Sequence, residues 1–283
     1  MSATAHAQHI TDDLRQWLRA QLAAGCRAED VLAAMRSSGW ADAAALQALQ
    51  QIQQETGQPV LLPPSGPVPE PAIGDGVTVI DVAGHPVRVL LAMKLPRVVL
   101  FGGLLSDAEC DALIEESRPR LARSETVVNT TGGSEVNAAR TSDGMFFGRG
   151  ESPLIQRIEQ RIATLLNWPV AWGEGLQVLH YRPGAEYRPH HDYFDPKHSG
   201  TAAVLARGGQ RVGTLVMYLN TPERGGATTF PDVALEVAAI KGNAVFFSYD
   251  RAHASTRTLH GGGPVVAGEK WVATKWLRER EFT

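Results

Sequence analysis

Lys270-Trp271-Val272-Ala273-Thr274-Lys275-Trp276-Leu277 is a run in which two lysines stand among apolar and aromatic residues. Successive side chains of a strand point to opposite faces, so Lys270, Val272, Thr274 and Trp276 share one face. A solvated surface lysine fits poorly in such a run. Similar strand-like runs precede it at 175–181, 212–220, 227–231, 235–239 and 244–249, separated by glycine and proline. Many short strands punctuated by turns indicate an all-β barrel or sandwich.

Upstream of these strands the texture is mixed. Residues 77–82 and 87–91 read as strands. Ser106-Asp107-Ala108-Glu109 ahead of Cys110, Leu113 and Ile114 is a capping-box helix start. Residues 153–166 read as a second helix, with Ile155, Ile158, Ile162 and Leu165 on one side. Helices are therefore expected to pack on a flank of the β-domain. Before it, 58–76 is rich in proline and glycine and reads as a semi-rigid linker between a helical region, 1–57, and a main domain, 77–283. In the helical region Leu14, Trp17, Leu18 and Leu22 mark one helix, with Gly25 as its C′ residue. Val31, Leu32 and Met35 mark a second, closed near Gly39, and Leu46, Leu49 and Ile52 a third. Three short amphipathic helices could form a small bundle that contacts the substrate or a partner protein, or one packed on the main domain.

The bulk numbers exclude some classes. The chain has 283 residues, 43% hydrophobic and 20% charged, with net charge −3. That balance carries no electrostatic footprint for nucleic acid or an anionic membrane. Cys26 and Cys110 are the only cysteines. They suggest no disulfide scaffold, and a reducing cytoplasm fits them. No signal peptide and no run of about 18 apolar residues is visible, so no membrane span is expected.

Arg188-Pro189-His190-His191-Asp192-Tyr193-Phe194 carries the chemistry. A bare His-x-Asp is weak on its own. In an extended strand, His190 and Asp192 share a face while His191 points away. A third ligand must come from another strand, and His260 stands seventy residues on. His253 is its rival, but the residue ten beyond His253 is Gly263, whereas ten beyond His260 is Lys270. His198 lies in a polar loop, and His180 alternates with Tyr181 so that only one faces inward. Two imidazoles and a carboxylate, without thiolates, suit Fe(II) better than structural zinc. Three protein ligands leave room for a bidentate keto-acid and dioxygen. The Lys270 ammonium would then pair with the distal carboxylate of a keto-diacid.

The match runs well past these ligands. Leu176-Gln177-Val178-Leu179-His180-Tyr181-Arg182-Pro183-Gly184, the ligand stretch from Tyr187 to Phe194, Gly209-Gln210-Arg211-Val212-Gly213-Thr214-Leu215-Val216-Met217-Tyr218-Leu219-Asn220, Gly225-Gly226-Ala227-Thr228-Thr229-Phe230-Pro231, Gly242-Asn243-Ala244-Val245-Phe246-Phe247 and Ser255-Thr256-Arg257 follow in order. Over residues 95–282 the chain resembles the prolyl 4-hydroxylase family of 2-oxoglutarate- and Fe(II)-dependent dioxygenases. The resemblance implies a mainly β double-stranded β-helix (jelly-roll) catalytic domain with flanking helices, here with a small N-terminal helical region. It implies His190, Asp192 and His260 as iron ligands, Lys270 and Tyr181 on 2-oxoglutarate, and Thr228 on the wall of that pocket. It places Arg211, Tyr187 and Trp276 near a peptide substrate. Arg211 precedes a buried-looking strand, so its charge needs a partner, which could be a protein carboxylate. It implies Fe(II), 2-oxoglutarate and dioxygen, with ascorbate as a candidate reductant.

The implied reaction hydroxylates a residue of a peptide or protein, most naturally proline at C4, with decarboxylation of 2-oxoglutarate to succinate. The same chemistry on a free amino acid, and a non-catalytic peptide-binding module, are the rival readings. Residues 129–142, including Arg140 as a substrate contact, correspond to a mobile loop over the substrate, and 195–209 is a second candidate flap. Two departures stand out. Arg257-Thr258-Leu259 lengthens the loop before His260, and Gly261-Gly262-Gly263 replaces less flexible residues.

Overall fold

The computed structural model describes residues 10–24, 26, 28–56, 67–123, 126–127, 134–135, 141–195 and 200–283. The chain divides into two compact units, Met1–Gly66 and Pro67–Thr283.

The first unit holds helices α1 (Asp12–Ala23), α2 (Ala28–Ser37) and α3 (Asp42–Thr56). Thr11 caps α1, its hydroxyl accepting from the Leu14 amide at 3.3 Å. Leu18, Val31, Leu32, Met35, Leu49 and Ile52 form its core. Trp17, expected on the buried face, is 37% exposed. Leu14, Leu18 and Leu22 make a four-residue-spaced stripe, and Trp17 lies on its edge. Gly25 lies outside the described residues.

The second unit begins at Pro67, so residues 67–76, read above as linker, sit inside it. The Glu70 amide donates to Leu166 O at 3.0 Å, and the Glu70 carboxylate takes the Arg97 guanidinium. Its strands are β1 (Val79–Val82), β2 (His85–Met93), β3 (Arg97–Gly102), β4 (Ala122–Arg123), β5 (Thr126–Val127), β6 (Ser134–Glu135), β7 (Asp143–Phe147), β8 (Leu176–Tyr181) and β9 (Tyr187–His190). They continue as β10 (Arg211–Tyr218), β11 (Arg224–Gly225), β12 (Thr228–Phe230), β13 (Leu235–Val237), β14 (Ala244–Ser248), β15 (His260–Gly262), β16 (Val265–Ala267) and β17 (Lys270–Arg278). Its helices are α4 (Asp107–Ser117), α5 (Pro153–Leu166) and α6 (Thr201–Ala206).

A large sheet has the order β1-β2-β3-β14-β10-β17-β8-β7-β4, and a smaller one β13-β12-β15-β9. From β8 onward the chain passes back and forth between them: β8, β10, β14 and β17 belong to the large sheet, β9, β12, β13 and β15 to the small one. This winding is the expected jelly roll. Alternation along each strand builds two cores. Leu176, Val178, Leu215, Met217, Phe246, Trp271, Ala273 and Leu277 pack with α4 and α5. Leu179, Tyr181, Tyr218, Val245, Phe247 and Val272 pack instead with Phe230 and Val237 of the small sheet. The flanking helices expected from sequence thus cover the back of the large sheet. Ser106 and Glu109 form the anticipated capping box of α4, and α5 buries Ile155, Ile158, Ile162 and Leu165.

Candidate active site

The central fact of the site is a strand pairing. β15 lies beside β9 with His260 opposite His190, so residues seventy apart in sequence become lateral neighbours. Their rings stand 4.4 Å apart between centroids. Asp192 follows β9, two residues beyond its end, in a bend. The expectation that strand parity would align His190 with Asp192 is therefore replaced by a turn that folds the carboxylate back. The donor atoms of His190, Asp192 and His260 all lie within 4.8 Å of one another.

Backbone carbonyls set the histidine tautomers. His190 Nδ1 lies 2.9 Å from Arg188 O, and His260 Nδ1 lies 2.9 Å from Thr258 O. A carbonyl oxygen only accepts, so each Nδ1 carries the hydrogen and each Nε2 presents a lone pair. Those lone pairs face the same carboxylate, Nε2 to oxygen, at 3.5 Å for His190 and 3.4 Å for His260. Three electron-rich groups converging without a donor between them repel one another unless a cation sits among them. The donor set thus fits a divalent ion with nitrogen and oxygen preference. Burial would raise the Asp192 carboxyl; with a proton in place of a metal at His260 Nε2, that charge and contacts with both imidazoles would hold it well below the usual carboxylate range. Burial lowers His190, and the same charge beside it would lower it further.

Behind the carboxylate stands a chain absent from the sequence reading. The Thr214 hydroxyl donates to Asp192 Oδ2 at 2.7 Å and lies 2.9 Å from the Tyr249 hydroxyl. Both side chains are buried. Nothing in a threonine of a strand core or a tyrosine after Ser248 signals such a role. It emerges only when β10 and β14 pair beside the ligand turn.

The cleft in front of these donors is lined by both histidines and Asp192, by Tyr181, Tyr187 and Thr228, and by Lys270, Val272, Thr274 and Trp276. The space among them, about 450 Å³ in all, runs out into open solvent. All four residues assigned to one face of β17 are present. Lys270 is buried, and among the described residues no carboxylate or hydrogen-bond acceptor meets its ammonium. Its Nζ lies 5.5 Å from the Tyr181 ring centre and 5.9 Å from that of Tyr218. Burial brings its pKa down to about 8. A Cβ on Gly226 would come within 3.1 Å of Lys270 Cδ, and one on Gly262 within 3.9 Å of Nζ. Gly226 thus gives the lysine stem its close passage, and Gly262 lies beside the ammonium. The Tyr218 hydroxyl donates to Thr228 Oγ1 at 2.9 Å; Tyr218 is a third residue to which the sequence reading assigned no role.

The remaining candidates divide. Tyr187 stacks on His190 at 3.7 Å between ring centres. Arg211 is not in the cleft lining. Its guanidinium makes two bonds to Glu174, at 2.7 and 2.9 Å, and lies 4.1 Å from the Trp276 ring centre. The protein-carboxylate alternative is the one observed. Arg140 lies outside the described residues, as does most of 129–142. The second expected flap, 195–209, contains α6, whose Val204 carbonyl accepts from Arg278 at 2.7 Å. His180 bonds Glu269 at 2.7 Å, turned away from Tyr181 as parity required. Gly261 and Gly262 lie in β15, and Gly263 follows it. A Cβ on Gly261 would stand 2.9 Å from Tyr187 O, so close strand approach, rather than flexibility, explains the smallest residue there.

Fold and donor set define a class, the jelly-roll non-haem iron oxygenases. Residues 176–278 match the model of the 2OG-Fe(II) oxygenase superfamily. The chain is 37% identical over 221 residues to prolyl 4-hydroxylase 2 of Arabidopsis thaliana, covering 70% of this chain and 72% of that one. It is 38% identical over 208 residues to prolyl 4-hydroxylase 5 of the same plant, covering 66% and 70%. Among solved structures, viral collagen prolyl hydroxylase from Paramecium Bursaria Chlorella virus-1, in its 2OG complex, is 30% identical with a TM-score of 0.49, covering 64% of this chain and 95% of that one. The chain belongs to the prolyl 4-hydroxylase family and is a 2-oxoglutarate-dependent dioxygenase.

Proposed function

We propose that the enzyme hydroxylates a peptidyl proline at C4 while converting 2-oxoglutarate to succinate and carbon dioxide. The observation that carries this reading is one cleft holding both a convergent His-Asp-His donor set and a buried ammonium with no acid partner among the described residues. His190 and His260 offer Nε2 and Asp192 a carboxylate oxygen to Fe(II). When bound, iron supplies dioxygen activation coupled to oxidative decarboxylation of the keto-acid. Lys270 takes the distal carboxylate of 2-oxoglutarate, with Tyr181 and Thr228 as neighbouring walls. Thr214 donates to Asp192 Oδ2 and would fix the orientation in which the carboxylate holds the metal. Tyr187, Trp276 and Arg140 meet the substrate, and Arg211 braces the Trp276 ring. The choice of a proline in a peptide is supported by the relatives, which are prolyl 4-hydroxylases.

Within the same reading, ascorbate would serve as the reductant. The enzyme works in the cytoplasm, a location supported by free Cys26 and Cys110. No helix among the described residues is long and apolar enough to cross a membrane. The N-terminal helices, 1–57, recruit a substrate or partner protein.

The test supplies Fe(II), 2-oxoglutarate and a proline-rich peptide and reads peptide mass and succinate. The expected result is a gain of one oxygen at proline C4, matched by an equal amount of succinate. Oxidation of free proline with the peptide left untouched would overturn the peptide assignment.

A further inference from the structure

Lys270 poses a positional problem. A buried lysine with no acid partner among the described residues has little at its tip to hold it, so its backbone must decide where the ammonium stands. That backbone lies at the end of a ladder. β17 pairs with β8 through Lys270 opposite Tyr181. On its other side, the pairing with β10 runs out at Tyr218 opposite Val272, followed by one bond from the Leu219 amide to Trp271 O at 2.9 Å.

Beyond that point a side chain takes over. Asn220 Nδ2 donates to Glu269 O at 2.8 Å, and Asn220 Oδ1 accepts from the Trp271 amide at 2.7 Å. One carboxamide therefore grips the peptide groups on both sides of Lys270. It imitates the donor and acceptor pair that a longer β10 would offer. Asparagine alone among short side chains carries both functions on one planar group. The Glu269 side chain is held as well, by His180 at 2.7 Å, and His180 in turn stacks on Trp271 at 4.2 Å.

We infer that Asn220 is a positioning residue for 2-oxoglutarate: its carboxamide fixes residues 269–271 so that the Lys270 ammonium meets the distal carboxylate. The inference rests on the proposed role of Lys270. Asn220 touches neither metal donor nor cleft, so its removal shifts the affinity for the co-substrate while leaving the chemistry at the iron alone.

The experiment compares Asn220→Ala, Asn220→Asp, Lys270→Ala and Asn243→Ala in the full-length holoenzyme. Asn243 is a control of similar kind, its Oδ1 accepting from the Gly103 amide at 3.2 Å away from the cleft. Two quantities are read: the KM for 2-oxoglutarate against kcat, and the 2-oxoglutarate concentration giving half the maximal rise in Tm with manganese(II) bound. Asn220→Ala is expected to raise both the KM and the half-maximal concentration about five- to tenfold, the weight of a hydrogen bond or so. Its kcat at saturation and its metal requirement stay at the wild-type level. Asn220→Asp, which keeps the acceptor but sets a carboxylate oxygen against Glu269 O, is expected to raise both at least as far. Asn243→Ala lowers Tm without moving either quantity. Unchanged 2-oxoglutarate affinity in both Asn220 variants, with Lys270→Ala strongly weakened, would overturn this inference alone. A Lys270→Ala enzyme with wild-type affinity would overturn the reading of the cleft, and this inference with it.

Discussion

Lys270 and Lys275 share strand β17, and the contrast between them locates the function. Both are buried, 3% and 2% exposed. Five residues apart, they point to opposite faces of the large sheet. Lys275 points toward the helices, where Glu159 of α5 meets it at 2.5 Å. Glu159 is also held by the Gly150 amide at 2.8 Å, and Gly173 leaves the space that Lys275 Cε occupies. Lys270 points between the sheets and meets aromatic rings and glycines, with no acid among the described residues. Burying a lone charge is costly, so proteins pair it or reserve it for a ligand. The paired lysine belongs to the scaffold, and the lone one is the cation that the proposed reading gives to 2-oxoglutarate.

Substitutions can break this contrast, beginning with the site it serves. His190→Ala removes one of three metal donors and should reduce succinate formation to background at any iron concentration; retained turnover would refute the ligand assignment. Next, Lys275→Met strands the Glu159 carboxylate in the interior. It should cost about 3–5 kcal/mol of stability in denaturant unfolding, as breaking a buried ion pair does. The KM for 2-oxoglutarate of the folded fraction should not move. Lys270→Ala should do the reverse, causing no comparable loss of stability because it also removes a buried, unpaired charge. It should raise the KM about 10- to 100-fold, the value of a charge-assisted contact. If both lysine variants changed the same quantity, the contrast would be wrong.

Two smaller effects sharpen it. Thr214→Val removes the bond to Asp192 Oδ2 and should weaken metal retention about tenfold, measured by competition with a chelator. The pH response of Lys270 has a definite sign. Its folded pKa, about 8, is below the ordinary 10.5, so above pH 8 the unfolded state holds more protons. The unfavourable contribution of the buried ammonium is fully present below pH 8, and stability is regained as pH rises from 8 toward 10.5. Affinity for 2-oxoglutarate should run the other way, falling above pH 8 as the ammonium loses its proton. Lys270→Met should abolish both trends in titrations of Tm and of KM.

Much of this was legible in the chain. The ten-residue interval from His260 to Lys270, the alternation along 270–277 and the Ser106 capping box all depend on local chemistry, and each reappears in the structure. The placement of Asp192 was legible only in outcome: it lies in a turn past β9, not in line with His190. Trp17 and Gly261 were misread for a shared reason. Exposure depends on where a helix stripe ends, and a glycine's purpose depends on what lies opposite it. Thr214, Tyr218 and Asn220 stood in a stretch that resembles the family, but they, Tyr249 and Glu174 showed no role because their partners are distant in sequence.

Periodicity and spacing, which are properties of one segment at a time, were enough to identify which residue types could bind a metal and a dicarboxylate and which strands carried them. Contact across strands is a property of pairs, and it arises only when the sheets close. Folding therefore chose Glu174 as the partner of Arg211 and Glu159 as that of Lys275. It left Lys270 facing the cleft without an acid among the described residues, and it set Asn220 on either side of that lysine's backbone.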